Sequence, residues 1–222
     1  MAARPLRLYA FHLAPNPIRA IIFAREKRLD LNIVYVDASN YRKFCELNPF
    51  RRAPVLELAD GRVITESLTI CQYMDSVAGP PFLFGDDPDR RLEIAMWERR
   101  AEMELLNQVI EVYHHIHPMF RATVSRSSAQ AAHSFARVRQ FLAVLERRLR
   151  ETSYLAGDGF TAADITAYIG YFWLSAMKVL PEEPMPAIAD WAAQIKIRES
   201  VESLHAIAPL LDIHASHWAE AE

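Results

Sequence analysis

Cysteine is scarce in this chain of 222 residues: there are two, Cys45 and Cys71, at no spacing that suits a metal. Both read as reduced, buried thiols, the usual state of a free cysteine. Long apolar runs are missing too. No window of about 18 uncharged apolar residues occurs, so no membrane span is expected. The opening Met1-Ala2-Ala3-Arg4-Pro5 leads into no long apolar segment, so no secretory leader is expected. Few cysteines and no export signal together point to the cytoplasm. Neither charge sign dominates: 25 Lys and Arg stand against 28 Asp and Glu, interspersed, for a net charge of -3. A nucleic-acid binder would show a basic face or excess, so that class drops out. What remains is a soluble globular composition, 51% hydrophobic and 24% charged. The length suits one large domain or two small ones.

The first third changes texture repeatedly. Leu6 to Phe11 alternates apolar with other residues and reads as a strand. Pro15-Asn16-Pro17 breaks it. From Ile18 to Arg28 apolar residues recur at helical spacing, with basic residues in the last turn. Leu31 to Val36 is a second strand, and Tyr41 to Leu47 a short helix stopped by Asn48-Pro49. Val55 to Leu58 is a third strand. Asp60-Gly61 signals a hairpin, from which Arg62 to Ile64 returns as a fourth. Ser67 opens a helix that runs to about Val77. The order β-α-β-α-β-β-α makes the first strands parallel across a crossover helix and the last two antiparallel. A small mixed sheet covered by helices follows.

Residues 80–88 form a linker, within a stretch that holds Gly79, Pro80, Pro81, Gly85 and Pro88. It separates a first domain, 1–79, from a second, 89–222, in which no strand pattern survives. Asp89 to about His117 reads as one long helix, ended or kinked near Pro118. Its two apolar stripes demand more than one packing neighbour. Ser128 to Glu151 is another helix. Ala162 to Leu180 is apolar nearly all round and should be the central core helix. Pro186 to Arg198 and Val201 to Leu211 complete the set. His214 and His217 lie in a tail expected to be solvated.

Three segments carry more than architecture. Arg52-Ala53-Pro54-Val55 puts a proline before an apolar strand, where it donates no ladder bond. Either this is an ordinary strand start, or a cis peptide turns the chain so that the Val55 N–H and C=O lie free for a peptide-like ligand. Ile64 to Ile70 ends a hairpin and begins a helix at Glu66-Ser67. Ser67 could be a simple N-cap. Alternatively the helix N–H groups and the Ser67 hydroxyl take a carboxylate while Glu66 takes an ammonium, which suits an α-amino acid head group. Thr161 and Asp164 have capping-box spacing, with Phe160 and Ile165 placed as a hydrophobic staple.

In their order and spacing these segments resemble the cytosolic glutathione transferase superfamily over nearly the whole chain. The matching pieces are Leu8-Tyr9 with the Pro15-Asn16-Pro17 turn, Asn48-Pro49 with Ala53-Pro54-Val55-Leu56, Glu66-Ser67 with Ile70 and Tyr73, and Phe160 to Asp164. Met96 to Glu102 and His117-Pro118 are similar to bacterial members in particular. The resemblance implies a thioredoxin-like α/β N-terminal domain that binds glutathione and an all-α C-terminal domain with an electrophile pocket. It implies that Val55, after a cis Pro54, pairs with the cysteinyl part of glutathione, that Glu66 and Ser67 hold the γ-glutamyl head, and that Arg52 lies near the glycyl carboxylate. Tyr113, His114 and His117 are assigned to the pocket wall. A cytoplasmic homodimer with a detoxifying transferase activity, and peroxidase activity as a variant of it, completes what is implied.

Many members place Ser, Cys or Tyr near the end of the first strand to bind the glutathione sulfur. The aligned position here is Ala14, which has no hydroxyl. Ionising a thiol of pKa about 8.5 must then rest on other groups. The start of the first helix offers its dipole and N–H groups, and the Asn16 side chain offers a donor. Asn16 is therefore the first candidate for the sulfur ligand; Tyr9 and His12 follow. Without a donor at this turn, a non-catalytic glutathione-binding or interaction protein of the same fold is the alternative. A glutathione-dependent reductase or isomerase ranks lower, since no nucleophile stands there. His114, His115 and His117 form a cluster, but only His114 and His117 share a helix face and no third ligand is evident, so no metal is expected. Arg99 and Glu102 most simply pair with each other.

Overall fold

Alternation sets the first element. The computed structural model describes residues 6–214; Met1–Pro5 and His217 lie outside them. Strand β1 (Leu6–Ala10) runs parallel to β2 (Leu31–Tyr35) across helix α1 (Pro15–Glu26). Helix α2 (Tyr41–Leu47) leads to β3 (Val55–Glu57), which turns into β4 (Val63–Thr65) and then α3 (Ser67–Ala78). The sheet order is β2-β1-β3-β4, with β3 antiparallel to both neighbours. Tyr9 and Val55 share one face and pack with Phe44 of α2; by alternation Leu8 and Leu56, also fully buried, point to the other.

Helix α1 stops at Glu26 without a glycine. Arg28 takes the left-handed conformation (φ 53). The Leu29 N–H then reaches the Ala24 carbonyl at 2.9 Å and the Arg28 N–H the Arg25 carbonyl at 3.0 Å, the two bonds of a Schellman closure. Just past α1, Lys27 pairs through its ammonium with Asp75 of α3 at 2.9 Å, both side chains buried. It also donates to the carbonyls of Gly79 and Pro81, and Asp75 accepts from the Leu83 N–H. This fastens residues 79–83, with the cis Pro80–Pro81 bond, onto the first unit. The compact units divide between Leu83 and Phe84.

In the second unit the expected long helix is three segments. Helix α4 (Pro88–Arg100) passes into a π-helical turn (Ala101–Leu106) and then α5 (Asn107–Ile116). The Asn107 N–H bonds the Glu102 carbonyl, five residues back. His117 is extended (φ -73, ψ 132) and ends the helix before Pro118. Arg99 does pair with Glu102, at 2.8 Å. Helices α6 (Ser128–Leu149), α7 (Ala162–Ala176), α8 (Pro186–Lys196) and α9 (Glu202–Leu211) follow. Helix α7 is buried almost throughout. It ends before the expected Leu180 because Lys178 (φ 59) makes the same closure as Arg28, with Val179 N–H to Leu174 O at 2.9 Å.

The expected capping box is present. Asp164 Oδ2 accepts from the Thr161 N–H and Oγ1, both at 2.9 Å, while Oδ1 accepts from Leu155 N and Trp191 Nε1. One buried carboxylate thus ties the start of α7 to α8 and to the 150–160 loop. Glu146 of α6 plays a similar part for α8, accepting from the Ile188 N–H at 2.9 Å and the Ala187 N–H at 3.3 Å. No described helix is long and apolar enough to cross a membrane.

Candidate functional site

The end of β1 is shaped by a left-handed Leu13 (φ 53), after which extended Ala14 caps α1 with no side-chain acceptor. The first turn of α1 is poor in donors. Pro15 and Pro17 have no N–H, and the Ile18 N–H goes to the Ala14 carbonyl at 3.4 Å. Of the helix-start N–H groups expected to polarise a thiol, only that of Asn16 is left. The Asn16 side chain, half-buried, faces the start of α3: its Oδ1 accepts from the Ser67 hydroxyl at 3.3 Å. Its amide nitrogen has no partner among the described residues.

The other candidates at this turn are placed differently. Tyr9 is 2% exposed, and its hydroxyl donates to Glu57 at 3.0 Å. That phenol is committed to the sheet face. Burial raises the Glu57 carboxyl, but the Tyr9 hydroxyl, Lys43 and Arg7 outweigh it and hold the group below its ordinary value. His12 is exposed and stacks on Tyr35, ring centroids 3.7 Å apart.

The Ala53–Pro54 bond is cis. The loop before it is held by buried Asn48, whose Nδ2 donates to the Arg52 carbonyl at 2.8 Å and whose Oδ1 accepts from the Phe50 N–H at 3.1 Å. Arg52 is exposed there, as is Arg51. Val55, however, lies one step too deep to offer free peptide groups. In the hairpin the Leu58 N–H bonds the Arg62 carbonyl. Antiparallel alternation then makes Leu56 and Ile64 the next bonded pair and turns the Val55 groups toward Tyr9 of β1. Among the described residues the N–H and C=O of Ala53, outside the ladder, have no backbone partner. The strand periodicity needed to find this depends on where the hairpin bonds begin, which Asp60-Gly61 alone does not tell.

Glu66 is exposed and takes a left-handed φ of 65 as the N-cap of α3. A non-glycine residue held there stores strain, a mark of functional positions. Ser67 is 4% exposed. Its Oγ accepts from Arg19 Nε at 3.2 Å and from a second guanidinium nitrogen at 2.5 Å, and its one hydrogen goes to Asn16. Beside this hydroxyl, Ser67 presents its backbone N–H at the helix start. Arg19, 3% exposed, is a site residue beyond those expected from sequence. Its signal was the i, i+3 spacing from Asn16 on an otherwise apolar helix face.

In the second unit Tyr113 and His117 are core side chains, 1% and 0% exposed. The Tyr113 hydroxyl meets Met119 Sδ at 2.9 Å. His117 stands beyond α5, not on its face, and its Nδ1 accepts from the Met119 N–H at 3.3 Å. His114 is the half-buried member, packed edge-on against Phe120 with centroids 4.7 Å apart. Burial pushes the His114 imidazole down, with Glu111 partly opposing. Of the three assigned to a pocket wall, His114 alone keeps appreciable exposure. A cleft of about 420 Å³ does exist in this unit, lined by Glu146 of α6, Arg150 just after it and Trp191 of α8; it surrounds the helix-capping Glu146. Among the described residues no three His, Cys, Asp or Glu side chains converge as a metal would require.

Comparison with known proteins identifies the family of the chain. The chain matches the glutathione S-transferase N-terminal domain over residues 14–77 and the glutathione S-transferase C-terminal domain over residues 101–199. The Saccharomyces cerevisiae protein named Glutathione S-transferase 2 is 30% identical over 212 residues, covering 89% of this chain and 88% of its own. Among solved structures, Gtt2 from Saccharomyces cerevisiae superposes with a TM-score of 0.81 at 30% identity, covering 89% of this chain and 99% of that one. A glutathione S-transferase domain-containing protein of Marinobacter aquaeolei VT8 superposes with a TM-score of 0.80 at 33% identity, covering 88% and 99%. The chain belongs to the glutathione S-transferase family, with a thioredoxin-like first unit and an all-helical second.

Proposed function

We propose that this protein is a glutathione transferase that joins the sulfur of glutathione to electrophilic carbon. The thiol gives its proton to solvent and the thiolate forms the S–C bond; with an aryl chloride, chloride departs with the bonding pair, and with an enone the displaced π pair takes a proton from solvent. A hydroperoxide is the second class of acceptor: one glutathione takes its oxygen as a sulfenic acid, and a second then forms the disulfide with loss of water. The observation that carries the reading is the Asn16 side chain. Its oxygen is anchored on Ser67 and its amide N–H₂ has no partner among the described residues, two residues after Ala14, which has no hydroxyl.

In this reading the Asn16 amide holds the thiolate. The Ala53 peptide, set by cis Pro54 and continued by Val55, pairs with the cysteinyl backbone. Glu66 takes the γ-glutamyl ammonium, the N–H groups of Ser67 and its successors take the carboxylate beside it, and Arg52 neutralises the glycyl carboxylate. The helical unit, with His114, provides the electrophile's apolar contacts. We place the protein in the cytoplasm, as a homodimer of the 25.4 kDa chain that clears reactive compounds; sedimentation equilibrium should read twice that mass, and the single-chain mass would contradict the dimer. Steady-state assays with glutathione and an activated aryl chloride, an enone or an organic hydroperoxide test the activity. Turnover with none of them would sink it. The bare Ala14 favours the second reading, a glutathione-binding protein without catalysis, and the same assays combined with a measured glutathione affinity separate the two.

A further inference from the structure

Asparagine can present either end to a ligand, because its oxygen and nitrogen ends have nearly the same size. Against a thiolate the ends are opposites: the amide N–H₂ attracts it, the carbonyl oxygen repels it. Something must therefore choose. The Ser67 hydroxyl has one hydrogen and two lone pairs. Arg19, which can only donate, directs Nε at 3.2 Å and a second nitrogen at 2.5 Å onto that oxygen. The lone pairs are taken, and the hydroxyl hydrogen is left for Asn16 at 3.3 Å. Only the carbonyl end of Asn16 can receive it, so the nitrogen end must point away. If Arg19 were absent, the hydroxyl could accept from the Asn16 nitrogen just as well, and the flipped side chain would meet the sulfur with its oxygen. The burial of Arg19 and Ser67, 3% and 4% exposed, keeps water from taking over either role.

We propose that Arg19 is a positioning residue that, through the Ser67 hydroxyl, makes the Asn16 side chain a donor toward the glutathione sulfur. The inference rests on the transferase reading above. It predicts that the three side chains act as one unit on thiol ionisation while only Asn16 touches the sulfur.

The test is the pH titration of protein-bound glutathione by its thiolate absorbance, at saturating glutathione so that affinity does not enter. Asn16→Ala raises the bound-thiol pKa by about one unit, the size of one charge-assisted hydrogen bond. Ser67→Ala raises it by most of that amount, and Ser67→Thr, which keeps the hydroxyl, restores the wild-type value. The Asn16→Ala/Ser67→Ala double variant goes no higher than Asn16→Ala. Arg19→Met matches Ser67→Ala, and Arg19→Lys, which keeps a donor for the hydroxyl, stays near wild type. Should Arg19→Met fail to fold, Ser67→Ala against Ser67→Thr decides. A wild-type pKa in Ser67→Ala beside a raised one in Asn16→Ala overturns the positioning and leaves the transferase reading standing. Additive shifts in the double variant overturn it as well. No shift in Asn16→Ala overturns the role of Asn16 and the relay together.

Discussion

In the proposed reading Asn16 alone meets the glutathione sulfur, and neither Ala14 nor Tyr9 does. Ala14 only shapes the turn. Asn16 carries the one backbone N–H and the one side-chain donor that the first turn of α1 retains, because Pro15 and Pro17 remove two others. Tyr9 could be mistaken for the sulfur ligand from its position in β1, but its hydroxyl is spent on Glu57. Tyr9→Phe should therefore leave the bound-thiol pKa unchanged and cost about 1 kcal/mol of stability, one modest hydrogen bond. Denaturant melts set beside the thiol titration check both halves. Asn16→Ala gives the opposite pattern: a large loss in kcat at neutral pH with little change in the melt, since its side chain is half-buried and anchored by one bond.

At the scale of elements, much was legible and the failures have physical causes. The alternation of β1, the β-α-β order and the Thr161/Asp164 box all read directly from residue spacing, because each depends on local periodicity or a local cap. The ends of α1 and α7 did not. Arg28 and Lys178 occupy left-handed positions where glycine is the usual signal. The π turn at Ala101–Leu106 was hidden for another reason: it answers a neighbour distant in sequence. Gly170 of α7 approaches so closely that a Cβ there would lie 2.7 Å from Leu105 Cγ. Gly170→Ala should push the two helices apart and destabilise the helical unit by roughly 1–3 kcal/mol, read as a lower thermal midpoint; an unchanged midpoint would show that Leu105 can yield. In the site, the cis bond and the helix start at Ser67 were foreseeable from Pro54 and the hairpin. The shift from Val55 to Ala53 and the capture of the Ser67 hydroxyl by Arg19 were not, since both depend on hydrogen bonds between strands and helices far apart in the chain.

For the molecule as a whole, pH acts through carboxylates held by specific donors. Burial raises Glu146, but the N–H groups of Ile188 and Ala187, with Arg150, outweigh it and leave the group below its ordinary value; Glu57 behaves alike. A carboxyl depressed in the folded state gives stability that is complete above its unfolded value, about 4.3, and is lost as pH falls through the folded one. The thermal midpoint should thus hold from neutral pH down to about 5 and decline below 4. Glu146→Gln should lower the midpoint at neutral pH and flatten the acid decline. A variant whose acid decline stays as steep as wild type would show that Glu146 has no part in it.

In the proposed reading this chain ionises glutathione without the usual hydroxyl. The most direct test is the ultraviolet titration of the thiolate of glutathione bound to the unmodified protein. The expected result is a pKa clearly below the value of about 8.5 for a free thiol. Saturable binding with a thiol pKa at or above that value would contradict it.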